Sequence, residues 1–194
     1  MKPINRSRIA AALAFAAIFL ALSAPAMAQY GTAGAGFGVT TPVLQPVTAE
    51  EAKSLQFMRE EEKLARDVYK LMLDKWNLVI FQNIMASEEA HFNAIGTLLT
   101  RYGVADPALS SAGVYTDPAL NALYNQLVAK GLQSAQDALA VGVLIEKKDI
   151  SDLETALTST AKFDIKRVFN NLMNGSYIHL EAFETVCTIT VTAN

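Results

Sequence analysis

The chain has 194 residues, a formal net charge of −3, 52% hydrophobic residues and a single cysteine, Cys187. Its mild acidity excludes a nucleic-acid partner, which calls for a basic patch. One cysteine excludes an internal disulfide, so the fold must rest on its core or on bound metal.

Residues 1–28 read as a secretory signal peptide. Lys2, Arg6 and Arg8 form a basic start, Ile9 to Leu22 an apolar run, and Ala26-Met27-Ala28 a small-residue cleavage site. No stop-transfer pattern follows, so no stable membrane anchor is expected after cleavage. Removing 28 of the 194 residues, with three basic and no acidic side chains among them, leaves 166 residues with a charge of −6. That is one domain with its own core, exported to the periplasm or beyond the cell. Residues 29–47 carry six glycines and prolines (Gly31, Gly34, Gly36, Gly38, Pro42, Pro46) and no charge, the composition of a flexible tether.

The domain is expected over residues 48–187, with 188–194 as a frayed tail. Thr48-Ala49-Glu50-Glu51 is a capping-box pattern and opens a first helix that runs to about Trp76. Its apolar stripe is Leu55, Met58, Glu62, Ala65, Tyr69, Met72 and Trp76, in which Glu62 is the one charge. Glu60, Glu61, Lys63 and Arg66 lie off that stripe and read as a solvated face. After a turn at Asn77 a second helix spans about Ile80 to Tyr102, with Glu88 and His91 on the stripe of Phe81, Ile84, Ile95 and Leu98, and Gly103 as its stop. A long polar crossover follows, and Pro118 introduces a short helix over Ala119–Lys130. The third main helix begins near Ser134 and places Glu146 in the row Leu139, Val143, Ile150, Leu153; a bend is expected near Asp149 or Ser151. The fourth runs from Lys162 to about Val186, with Ser176 and His179 among Ile165, Val168, Leu172 and Phe183. Gly175 in it predicts a kink or a close backbone approach. The fold class is all-α.

Five ionisable side chains thus interrupt apolar stripes near the middle of four helices: Glu62, Glu88, His91, Glu146 and His179. A buried carboxylate costs several kcal/mol unless something positive accompanies it. Carboxylate and imidazole together suit iron, manganese or zinc, whereas calcium takes oxygens alone. Di-metal carboxylate bundles use one Glu from each of two helices and Glu-x-x-His from each of the other two. Here Glu62 and Glu146 are the single positions and Glu88-x-x-His91 is one full motif, while the fourth helix offers Ser176-x-x-His179. Asp149, three residues beyond Glu146, either supplies the missing carboxylate or caps a helix segment; without it a single ion is expected. Tyr69 lies on the Glu62 stripe, where it either donates to a ligating carboxylate or packs in the core.

The runs Arg59-Glu60-Glu61-Glu62-Lys63-Leu64-Ala65-Arg66-Asp67-Val68-Tyr69, Ile145-Glu146-Lys147-Lys148-Asp149-Ile150 and Asn171-Leu172-Met173-Asn174-Gly175-Ser176-Tyr177-Ile178-His179-Leu180 carry a resemblance. Together with Phe81 to His91, they resemble the rubrerythrin type of ferritin-like protein, and more closely the ferritin-like family called domain of unknown function 2202. The resemblance implies a ferritin-like four-helix bundle whose long crossover bears the short extra helix. It implies Glu62, Glu88, His91, Glu146 and His179 as metal ligands, with Glu88 bridging, and iron in a di-iron or mononuclear site, manganese and zinc being the alternatives. Ser176 departs from the Glu of those proteins. The expected function is an exported metal binder that reacts with oxygen or peroxide; non-catalytic metal buffering or delivery, and a metal-free structural bundle, are the alternatives. Analogy of fold allows a homodimer, and the sequence does not fix the oligomeric state.

Overall fold

A computed structural model describes residues 44–192, with side chains through Thr188. The expected signal peptide and most of the Gly/Pro-rich segment lie outside these residues. The described chain is all-helical: α1 (Ala49–Trp76), α2 (Val79–Tyr102), α3 (Pro118–Gly131), α4 (Ala135–Thr158) and α5 (Phe163–Thr192). Among the described residues no helix is long and apolar enough to cross a membrane.

The helix ends follow from local chemistry. The Thr48 hydroxyl accepts from the Glu51 amide at 3.1 Å, while the Glu51 carboxylate accepts from the Thr48 amide at 2.8 Å, a reciprocal cap on α1. Asn77 ends α1 in the left-handed region (φ 50°), and Gly103 ends α2 in the same way (φ 64°). The Asp117 side chain caps α3 ahead of Pro118, and Ser134 caps α4.

Two departures from the sequence reading concern α4 and α5. α4 runs unbroken through Asp149 and Ser151, so Asp149 is not a cap. α5 continues to Thr192, past the expected end at Val186 and through residues expected to fray. The β-branched run at 188–192 has weak helix propensity, but adding a turn to an existing helix is far easier than starting one. The Thr188 hydroxyl donates to Glu184 O at 2.9 Å, which ties it to the preceding turn.

α1 packs mainly on α2, and α4 on α5; α1 also meets α4, α2 meets α5, and α3 lies against α1 and α4. The apolar residues fall into two clusters. One holds Tyr69, Phe81, Val141 and Phe183; the other holds Leu55, Met58, Ile95, Leu153, Phe169 and Leu172. In each main helix, the interrupting Glu and His positions fall between the segments that feed the two clusters. A polar layer therefore divides the interior into two oily halves.

The supposedly solvated face of α1 is buried. Glu60, Glu61 and Lys63 are 1–3% exposed, because the 104–117 crossover and α4 cover them. Glu60 accepts from the amides of Thr116 and Asp117. The Lys63 ammonium donates to Asp67 (2.6 Å), Ser111 O (2.9 Å) and Val114 O (3.3 Å). Asp67 also accepts from the Gly113 amide and the Tyr115 hydroxyl. The long crossover is clamped to α1 by charge, satisfying backbone groups that would otherwise be stranded.

Candidate metal centre

The polar layer collects Glu62 from α1, Glu88 and His91 from α2, Glu146 and Asp149 from α4, and Ser176 and His179 from α5. All five sequence-predicted ligand positions meet there, and Asp149 and Ser176 join them. His91 Nδ1 lies 3.0 Å from Glu88 Oε2 and 3.4 Å from Glu62 Oε2. On the other side, His179 Nδ1 lies 2.8 Å from Glu88 Oε1 and 3.4 Å from Glu146 Oε2. Two clusters result, Glu62–Glu88–His91 and Glu88–Glu146–His179, each with its donor atoms within 4.8 Å of one another. Glu88, 2% exposed, belongs to both, one oxygen turned to each.

The surroundings orient these groups. Tyr69 donates its hydroxyl to Glu146 Oε1 at 2.5 Å while its ring packs in the core against Phe81 and Phe183, so both contacts considered for it are present. Ser176 donates to Asp149 Oδ2 at 2.5 Å, so the Asp149 carboxylate sits beside position 176. Gly175 is what lets α5 approach His91: a Cβ there would stand 2.7 Å from His91 Cε1 and Nε2. The close approach is the outcome; α5 remains continuous through it.

Several donors are left over. Glu62 Oε1, Glu88 Oε1, Asp149 Oδ1 and His179 Nδ1 are buried and lack a hydrogen bond in good geometry. The 2.8 Å contact between His179 Nδ1 and Glu88 Oε1 is close enough but not aligned for N–H···O. The nitrogen and the oxygen converge side by side, as donors around a shared cation do. Buried orphans of this kind are uncommon in native interiors and are met by an ordered water or an ion. Three Glu, one Asp and two imidazoles form a mixed O/N set suited to iron, manganese or zinc. The residues fit such an ion.

Charge balance without a cation is maintained by protons. Burial pushes Glu62 well above the usual carboxylate range, with the charges of Asp149 and Glu88 adding to it. Burial and Glu88 carry Glu146 up to about 8, despite His179 and Tyr69. Burial raises Asp149 to about 7 against the Ser176 hydrogen bond. Glu88 goes the other way: burial disfavours its charge, but the two imidazoles outweigh that and hold it well below the ordinary value. Burial opposes the charged form of His179, yet Glu146 and Glu88 raise it to about 10, and His91 is raised for the same reasons. The layer stores several protons that an incoming cation would displace.

Sequence periodicity missed Glu61, buried just outside this layer, and the Lys63–Asp67 clamp. The available signal was the length of the crossover, which has to lie on something and find partners for its backbone.

This is an all-helical protein with a buried carboxylate–imidazole layer. Residues 51–190, which contain every residue of that layer, match the family described as "Uncharacterized protein domain (DUF2202)". The chain belongs to that family. It is 49% identical over 140 residues to the uncharacterized protein MJ0754 of Methanocaldococcus jannaschii, covering 72% of this chain and 76% of the relative. The crystal structure of that hypothetical protein superposes with a TM-score of 0.74 at 47% identity, over 76% of this chain and 85% of the other. A DUF305 fragment from Deinococcus radiodurans gives a TM-score of 0.56 at 15% identity, over 74% and 99% of the two chains. At that identity the likeness is one of helical arrangement alone.

Proposed function

We propose that this chain is an exported, ferritin-like metal-binding protein whose helix layer holds two first-row transition ions, iron or manganese foremost and zinc as the alternative. One observation carries the proposal: a single buried carboxylate, Glu88, shared by two clusters of three donors. Glu62 and His91 would hold one ion and Glu146 and His179 the other, with one oxygen of Glu88 facing each group. The pairing of α1 with α2 and of α4 with α5, with α3 in the connection, supports the ferritin-like assignment. Asp149 offers a further carboxylate beside Ser176, where the six-ligand pattern would have its second bridging Glu. Export rests on the signal-peptide pattern of residues 1–28.

Bound there, iron or manganese would supply one-electron exchange with oxygen or peroxide, whereas zinc would supply charge alone. The chain's own residues do the rest. Two apolar clusters exclude water on either side of the layer. Tyr69 fixes one oxygen of Glu146 and leaves the other to face His179. His91 and His179 present Nδ1 toward Glu88 and would give up the proton there to bind a cation.

Anaerobic Fe(II) titration of the metal-stripped chain, with bound metal counted by mass spectrometry, tests this. About two ions per chain are expected, and less than ~0.2 would sink the proposal. A following oxygen pulse separates two uses of the site. Faster Fe(II) oxidation than in protein-free solution marks an oxidase, and stoichiometric binding without acceleration marks a buffer or carrier. The serine at 176, in place of a second bridging Glu, favours the buffer as the second reading.

A further inference from the structure

Just outside the Glu/His layer, between α1 and α4, lies a second group of charges. Glu61 is buried beside Glu62 but turned toward α4. Its Oε1 lies 3.1 Å from the Lys148 ammonium, and its Oε2 is buried without a hydrogen bond in good geometry. Burial raises this carboxyl, and the Asp152 carboxyl, a close neighbour, raises it further. Lys148 also bonds Asp152, one turn further along α4, and reaches across the Phe57 ring. Asp152 in turn lines a surface groove of about 520 Å³ together with Phe57, Glu60 and Thr155. The Glu61 side chain is 4% exposed, against 37% at Lys148 and 28% at Asp152. On the inner side, Asp149 and Glu62 are the electrostatic neighbours of Glu61.

Two carboxylates, Glu61 and Asp152, share the one Lys148 ammonium, and the Glu61 oxygen without an aligned partner still carries its desolvation cost. The arrangement makes sense if the position beside Glu61 is a cation position that Lys148 fills in the meantime. A lysine ammonium is a compact point charge on a flexible stem, and this one is already partly in water. It can swing outward as another cation takes its place.

We propose that Asp152, Lys148 and Glu61 form a gated path by which a divalent first-row cation enters and leaves the buried layer. Asp152 collects the hydrated ion at the groove, Glu61 receives it as Lys148 withdraws, and Asp149 and Glu62 draw it into place. The path rests on the metal-binding reading of the layer. It also explains why the off-stripe residue Glu61 is buried at all: it is the inner station of the route.

Cobalt(II) uptake by the metal-stripped full chain, followed by stopped-flow visible absorption, tests the path. Glu61→Gln and Asp152→Asn are expected to slow uptake about tenfold, as loss of a focusing charge does, with the final cobalt content unchanged. Lys148→Met, which keeps the stem and removes the charge, speeds uptake. Added salt shrinks both effects. Glu50→Gln, the same charge change at an exposed site in the first turn of α1, leaves the rate as it is. Wild-type uptake rates in both Glu61→Gln and Lys148→Met overturn the path, as does a lower final content at an unchanged rate, which would make Glu61 a ligand. A wild-type chain that takes up no cobalt overturns the metal reading itself and the path with it. If Glu61→Gln fails to fold by thermal melting, the partly exposed Lys148→Met and Asp152→Asn carry the same test.

Discussion

Glu146→Gln should reverse its effect on stability between the metal-free and metal-loaded protein. In the metal-free fold the Glu146 carboxyl is raised from 4.5 to about 8 by burial and by Glu88. A raised carboxyl stabilises the fold while it keeps its proton, so its contribution is fully present below about pH 4.5 and is lost as pH climbs through about 8. At ~1.4 kcal/mol per unit, the shift amounts to a loss on the order of 5 kcal/mol by pH 9. Glutamine keeps the shape and still accepts from Tyr69 but carries no charge. The metal-free variant should therefore match the wild type within about 1 kcal/mol at pH 5, and exceed it by roughly 2–4 kcal/mol at pH 9. Metal at a thousand times its dissociation constant stabilises the wild type by about 4 kcal/mol. The variant lacks one anionic donor and should gain much less. Urea denaturation at the two pH values, with chelator and with manganese, reads all four conditions. Equal destabilisation in all four would refute the reasoning, because Glu146 would then be only a partner for His179 and Tyr69.

Tyr69→Phe removes the 2.5 Å hydrogen bond to Glu146 while keeping the ring among Phe81 and Phe183; metal affinity should fall about tenfold by competition with a chelator, with little change in metal-free stability. Lys63→Met strands the buried Asp67 carboxylate among the crossover amides and should cost ~3–5 kcal/mol by denaturant titration. Much of that should return in Lys63→Met/Asp67→Leu, since removing both charges leaves less unpaired. Gly142→Ala would bring a methyl to within 2.5 Å of the Phe183 ring, so thermal melting should show a loss of about 1–3 kcal/mol.

What the sequence disclosed was whatever depends on near neighbours. The Thr48–Glu51 box, Asn77, Gly103, Pro118 and Ser134 each act within a turn, and they mark helix ends in the structure where the pattern put them. Glu62, Glu88, His91, Glu146 and His179 stood out because each breaks an apolar stripe, and the structure brings all five into one layer. What stayed hidden depends on segments distant in sequence. Glu60, Glu61 and Lys63 look solvated on an isolated helix and are buried only because the crossover and α4 lie over them. The end of α5 was misread because the propensity of a β-branched run says little about a helix already under way. Asp149 resembled a cap next to Ser151 and Asp152, and only the continuity of α4 turns it inward.

Gly175 gives the His91 position a dependence on another helix. Because Gly175 has no side chain, the Cε1–Nε2 edge of the imidazole can lie toward α5 while Nδ1 faces the carboxylates. The ring orientation on α2 is permitted by the absence of a side chain on α5. A methyl at 175 would push the His91 ring and so disturb the groups around Glu88 from a helix away.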